Sequence, residues 1–168
     1  LISITDGQIY LDRELFNKGF LPAIDIAKSV SRIGGKAQAE MLKKMAVKLK
    51  LDYSQFLEVE VFTKFGAKVE KETQKLIDRG KALRVALKQD RSKHISMPMQ
   101  VAIFFLHNEG YLEKLPLGEV ELFIDKFCIH LETEHQDILQ AISTADHMDK
   151  YLISRLKTVA DAYTKEWQ

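Results

Sequence analysis

Cysteine is nearly missing from this chain. Cys128 stands alone among 168 residues, which excludes an internal disulfide and fits a reducing compartment. Charge of one sign is also missing. Twenty-five Lys and Arg face 24 Asp and Glu for a net +1, which argues against a nucleic-acid binder and against a polybasic membrane anchor. Long apolar runs do not occur. The longest, Val101 to Leu106, falls far short of the roughly 18 residues that cross a bilayer, so no direct membrane insertion is expected. Proline is limited to Pro22, Pro98 and Pro116, and neither low-complexity tracts nor fixed-period repeats are present. Against these absences, 46% of residues are apolar, enough for a core.

The chain changes character once. Residues 1–12 read as a strand, a turn at Asp6-Gly7 and a second short strand over Ile9, Tyr10 and Leu11. An isolated hairpin is marginal in water, so these strands are expected to need a sheet that the chain does not contain. One helical turn or loop (Glu14 to Lys18) and Gly19 follow, then an extended path fixed by Pro22. From Lys36 the period becomes helical, with Met41, Leu42, Met45, Leu49, Phe56 and Phe62 near one stripe and a kink expected at Asp52-Tyr53-Ser54. Gly66 reads as a stop. A second helix is expected from about Val69 to Leu87, with Gly80 inside it as a sign of close packing. After a polar loop from Lys88 to His94, Ser96 caps a third helix with Pro98 in its first turn. That helix is nearly all apolar and should be the buried centre. Tyr111 to Gly118 connects it to a fourth helix, about Glu119 to Ile142, with Val120, Phe123, Ile124, Phe127, Leu131, Ile138 and Ile142 inward. A last helix runs from about Lys150 towards Trp167. The fold class is therefore mainly α, a helical domain over 36–168 preceded by strands of another unit over 1–35.

The junction of the two patterns is Ser29-Val30-Ser31-Arg32-Ile33-Gly34-Gly35. A guanidinium stays charged and matches phosphate oxygens two at a time, and Ser hydroxyls and Gly amides add anion donors. The other reading is an Arg32 ion pair to a neighbouring acid, with glycines that merely start a helix. Elsewhere chemistry is sparse. His130, Glu134 and His135 cluster on the fourth helix, but the two histidines are five apart, off the same-face spacing of a zinc helix, and no metal site is read. Gly34-Gly35-Lys36 lacks phosphate-loop spacing. Cys128 reads as a small core residue, and Glu58 and Glu60 as solvated-face charges.

Three stretches, Leu1-Ile-Ser-Ile-Thr-Asp-Gly-Gln-Ile-Tyr-Leu, Pro22-Ala-Ile and Ser29-Val-Ser-Arg-Ile-Gly-Gly, resemble the C-terminal portion of the alpha subunit of rotary (F-type) ATP synthase. The likeness continues through Glu40 to Lys50, Leu87-Lys-Gln89, Gln100-Val-Ala and Gly110-Tyr-Leu-Glu-Lys-Leu, and is looser in the last fifty residues. It implies that residues 1–35 are the C-terminal edge of a nucleotide-binding domain and 36–168 the C-terminal helical domain around the rotor. It implies a non-catalytic, regulatory part in the catalytic head of a proton-driven machine. Arg32 would act in trans as an arginine finger at a beta-subunit catalytic site, with Ser29, Ser3 and Gly7 near the phosphates. Gln89, Pro22 and Arg91 would belong to a second nucleotide pocket that binds ATP or ADP without hydrolysing it, its phosphate and Mg contacts lying on other chains.

The implied partners are beta subunits, a central-stalk subunit facing Tyr111 to Gly118, and a companion N-terminal alpha fragment carrying the phosphate loop. A split or cleaved subunit is thus one expectation. The implied place is the matrix side of the mitochondrial inner membrane, bound peripherally, or else a plastid or bacterial membrane. Two departures stand out: Leu21 replaces the family's usual Arg before Pro22, and Asp90-Arg91 replaces a pair that is usually small or polar then Gln. Nucleotide at that pocket is therefore expected to be held less by base contacts than by its phosphates, with Arg91 stacking on the base. The alternative to this function is a structural helical bundle or adaptor that keeps the fold without a catalytic role.

Overall fold

A strand begins the ordered path at Gly7–Leu11 (β1), and its partner is Ile24–Ser31 (β2) of the same chain, antiparallel to it. The fold was obtained as a computed structural model, which describes residues 4–63 and 70–167. Gly7, expected in a hairpin turn, is the first paired residue of β1, opposite Ser31, and most of the strand expected before it lies outside the described residues. Ser3, Gly66 and Val69 lie outside the described residues. Between the strands a short helix, Arg13–Asn17 (α1), is capped by Asp12, whose Oδ1 accepts from Leu15 N at 2.8 Å. Gly19 turns the chain at φ 74°.

The strand register slips in the middle. Gln8 pairs with Val30 and Tyr10 with Asp25, so two steps on β1 face five on β2. Three extra residues of β2 bulge out there, and side chains replace the missing ladder. Ser29 Oγ accepts from Tyr10 N at 3.0 Å and donates to Asp25 O at 2.6 Å. Asp25 in turn accepts from Lys28 N and pairs with Lys28 Nζ at 2.8 Å.

A four-residue turn of helix, Gly34–Ala37 (α2), leads into the long helix Glu40–Thr63 (α3). The helix α3 runs unbroken through Asp52-Tyr53-Ser54, so the polar residues Asp52 and Ser54 are carried on a continuous helix. Met41, Leu49 and Phe56 are buried as their spacing predicts, but Phe62 is 68% exposed. Lys71–Ala86 (α4) packs against α3 around Leu49, Tyr53, Phe56, Ile77 and Leu83. A Cβ on Gly80 would stand 2.0 Å from Phe56 Cγ, so the glycine admits the ring. Glu60 is not a solvated charge: Arg84 grips it with two bonds of 2.8 and 2.7 Å while lying 4.6 Å from the Phe56 ring centre. Burial opposes the charge on Arg84, and the bonds from Glu60 and Tyr53 outweigh it and raise its pKa.

Met97–Asn108 (α5) is the buried centre that its composition predicts. Ser96 occupies the cap position through its backbone, and its side chain makes no cap bond. The expected fourth helix is two: Val120–Glu134 (α6) and Gln136–Thr144 (α7), broken at His135 with φ −133° and ψ 39°. Every inward residue expected along it is nevertheless buried. Lys150–Trp167 (α8) closes the bundle, with Tyr163 edge-on to Phe123 and Phe127 at 5.4 Å each. The turn from Tyr111 to Gly118 contains a 3-10 segment, Leu112–Lys114. It is tied down more than a sliding loop would be. Leu112 is fully buried, Tyr111 donates to Asp161 Oδ1 at 2.6 Å, and Glu113 accepts from Arg79 at 3.0 Å. Among the described residues no helix is long and apolar enough to cross a membrane.

Candidate functional site

Strand order splits the candidate residues into two groups. Gly7 pairs with Ser31 at one end of the sheet, and Arg32 follows directly, its N–H donating to Asp6 O at 2.8 Å. That bond extends the ladder past the last paired residue and fixes where the Arg32 side chain leaves the backbone. Gly7 is required by close approach: a Cβ there would lie 2.6 Å from Val30 O. After Arg32, Gly34 N donates to Ser31 Oγ at 2.8 Å, which sets the entry to α2. Arg32 is exposed, and among the described residues no carboxylate pairs with it. The ion pair that was the other reading of Arg32 is not formed there. Ser29 stands apart from this end, its hydroxyl committed to the bulge.

At the far end of the sheet Leu11 pairs with Ile24. Four steps of β1 separate the two ends, about 13–14 Å at ~3.4 Å per residue. Here a cavity of about 620 Å³ is lined by Leu11, Phe16, Leu21, Pro22 and Ala23 on one side and by Gln89, Asp90 and Arg91 on the other, with Asp12 and Arg13. The polar loop before α5 is held against the strand region by Gln89 N, which donates to Leu21 O at 2.8 Å. Gln89 also donates through Nε2 to Lys93 O at 3.0 Å. Asp90 accepts from the hydroxyl and the amide of Ser92, which hold its carboxyl below the usual range. An apolar wall opposite an amide and a guanidinium has the character of a site for a flat heteroaromatic ring. Pro22, Gln89 and Arg91 are therefore brought together, whereas Gly7 and Arg32 share the opposite end. Phe16 and Arg13 belong to the cavity as well. Nothing in their sequence spacing marks them, because only the fold of α1 against the loop makes them neighbours.

The remaining candidates are chemically quiet. Burial pushes the Cys128 thiol up to about 11, so it is a poor nucleophile. His107 is buried, and its pKa is lowered to about 4 by burial first and then by the charge of Arg79, so it stays neutral. It lies 3.4 Å from Asp52, which Arg79 holds at 3.0 Å. This group locks α3, α4, α5 and the 3-10 turn together.

Residues 38–163 match the family profile described as "ATP synthase alpha/beta chain, C terminal domain". The chain belongs to the ATP synthase alpha/beta family. Residues 1–31 match the profile of the ATP synthase alpha/beta family, nucleotide-binding domain. The helical bundle after a two-stranded piece is the C-terminal portion of an ATP synthase alpha-type chain, as the resemblance implies. Among its relatives is ATP synthase subunit alpha of Aquifex aeolicus (strain VF5), 40% identical over 167 residues, 99% of this chain and 33% of the relative. ATP synthase subunit alpha 1 of Legionella pneumophila (strain Paris) is 51% identical over 126 residues, 75% of this chain and 26% of the relative. ATP synthase subunit alpha 1 of Hahella chejuensis (strain KCTC 2396) is 54% identical over 120 residues, 71% of this chain and 24% of the relative. The chain thus spans about a quarter to a third of the length of these curated ATP synthase relatives.

Proposed function

We propose that this chain supplies Arg32 in trans, as an arginine finger, to the catalytic nucleotide site of a beta subunit in a proton-driven rotary ATP synthase. The observation that carries the reading is the exposed Arg32 guanidinium, without a carboxylate partner among the described residues, anchored through its own amide at the end of β2. A fixed, desolvated cation beside the transferring phosphoryl group stabilises charge that develops in the transition state. The planar fork of Arg does this in two directions at once, which the point charge of Lys does not. Gly7 brings β1 close enough for the Asp6 carbonyl to hold Arg32. Ser29 acts at one remove, by keeping the bulge that sets the course of β2. Ser3, outside the described residues, is assigned to the same phosphate region by resemblance.

The cavity at the other end of the sheet is the alpha-type site, which holds ATP or ADP without hydrolysis. Pro22 and Phe16 give the base an apolar wall, and Arg91 stacks on it. By resemblance, phosphate and Mg contacts are assigned to other chains, including a companion N-terminal alpha fragment with the phosphate loop. Two nucleotide sites at two ends of one sheet suit a subunit placed between neighbours. The domain boundary falls near residue 35, where strands give way to helices. Beta subunits and a central-stalk subunit are the assigned partners, and attachment to the membrane is peripheral. The bacterial origin of the relatives is compatible with a bacterial membrane; the mitochondrial inner membrane rests on resemblance alone.

Replacement of Arg32 by Lys in the assembled head tests the reading. Known trans fingers supply about 10³ to 10⁵ in rate. Steady-state ATP hydrolysis should fall by at least about 10³-fold, with assembly intact on a native gel. Turnover near wild type in the assembled variant would overturn it.

A further inference from the structure

The break between α6 and α7 places three metal-binding side chains together. In an unbroken helix His135 would point about 140° away from His130, five residues earlier at 100° per residue. Instead α6 ends at Glu134, and the backbone at His135 leaves the helical region while its N–H still donates to Leu131 O at 3.1 Å. The kink swings the second imidazole back over the first, ring centres 5.0 Å apart and planes at 77°. Glu134, one helical turn from His130, puts Oε1 3.3 Å from His130 Nδ1. The donor atoms of His130, Glu134 and His135 all lie within 4.8 Å of one another. Tyr163 of α8 packs over His130 at 5.1 Å, which holds that ring in place.

We propose that His130, Glu134 and His135 form a binding site for a divalent transition-metal ion of the zinc class. Zinc–nitrogen bonds of about 2.0–2.1 Å in a tetrahedral sphere place neighbouring donor atoms about 3.3–3.4 Å apart. The His130–Glu134 pair already has that separation, and the two remaining edges, from His135 to each of them, are no longer than 4.8 Å. Two imidazoles and one carboxylate favour zinc, nickel or copper over magnesium or calcium, which take oxygen ligands. Three protein ligands leave a fourth position for water. The ion clamps the end of α6 to the start of α7.

Calorimetric titration of the full chain with Zn²⁺ at about pH 7.5 should give one site. His130→Ala and His135→Ala should each weaken it at least tenfold, Glu134→Gln by a smaller factor, and the exposed His94→Ala and His147→Ala by less than twofold. Mg²⁺ should not compete. In unmutated protein, Zn²⁺ should protect His130 and His135 from diethylpyrocarbonate at least tenfold, mapped by mass spectrometry, while His94 and His147 stay reactive. Affinity within twofold of wild type in both His130→Ala and His135→Ala would overturn the site. So would equal reactivity of all four histidines with and without zinc, whether or not the variants fold.

Discussion

From Glu40 onward the chain builds a buried core of large side chains, although Val47, Leu51, Phe62, Leu122 and Ile129 stay exposed, whereas the two-stranded region before it leaves Ile4, Ile9, Leu11, Phe16, Val30 and Ile33 in solvent and, among the described residues, buries no large side chain. Before Met41 the one buried hydrophobic residue among those described is Ala23. The strand region is held mainly by polar bonds: the Ser29 bridge, the Asp12 cap and the Gln89–Leu21 contact. Two strands alone are marginal in water. Of the residues assigned to phosphate and base, Gly7, Pro22, Ser29 and Arg32 lie in this part, and Gln89 and Arg91 in the loop between α4 and α5. The helical part carries packing and a locked ionic group. Buried apolar packing is thus concentrated in the helical part, and the strand region adds little to it.

The contrast predicts unequal costs for similar truncations. Phe56→Ala, which removes a fully buried ring, is expected to cost about 3–5 kcal/mol. Leu11→Ala, at a side chain 81% exposed, should cost less than about 0.5 kcal/mol. Urea unfolding of both variants measures the gap, and equal losses would erase the distinction between the regions.

His107 sharpens it through pH. Its native pKa of about 4 lies below its ordinary 6.5, so unfolding takes up a proton between those values. Stability from this group is therefore full above about pH 6.5 and lost as pH falls towards 4, by up to about 3 kcal/mol. Denaturant unfolding across that window should show the loss in wild type and a flatter profile in His107→Gln. A wild-type profile no steeper than the variant's would count against a neutral, buried imidazole.

A smaller effect is expected at Gly80. Ala in an open helix gains about 1 kcal/mol over Gly, yet here its Cβ meets the Phe56 ring. Gly80→Ala should lose about 1–3 kcal/mol by overpacking, read as a lower thermal midpoint; a rise would mean that the ring has room to move. Smallest is Ser29→Ala, which removes the hydroxyl bridge across the bulge. About 1 kcal/mol is expected, seen as faster hydrogen exchange at the Tyr10 amide while the α5 amides stay protected.

Helical periodicity was enough to identify the buried residues of α6 and α7, and all-apolar composition those of α5, since an apolar stripe at 3.6-residue spacing has one stable use, facing a core. The resemblance on Ser29 to Gly35 was enough to single out Arg32. Neither reading reached the pairing of β1 with β2. Strand propensity marks a strand but not its partner, and the seventeen-residue separation of Gly7 from Ile24 spans a helix and a turn. Phe62 was read inward because a stripe says nothing of which of its positions meet a neighbour. Glu60 was read as solvated because its partner Arg84 lies 24 residues away.

The sequence by itself determined the class of fold, the family, the core residues of the bundle and the identity of the Arg beside the Gly pair, all of which rest on local pattern. Only the tertiary structure decided that Arg32 stands at one end of a sheet and Pro22, Gln89 and Arg91 at the other, and that the Ser29 hydroxyl serves a bulge. It alone decided that a break at His135 gathers two imidazoles and a carboxylate. Each of these depends on which distant backbone groups pair, and the free energy of such pairing is set by whole surfaces that no local spacing records.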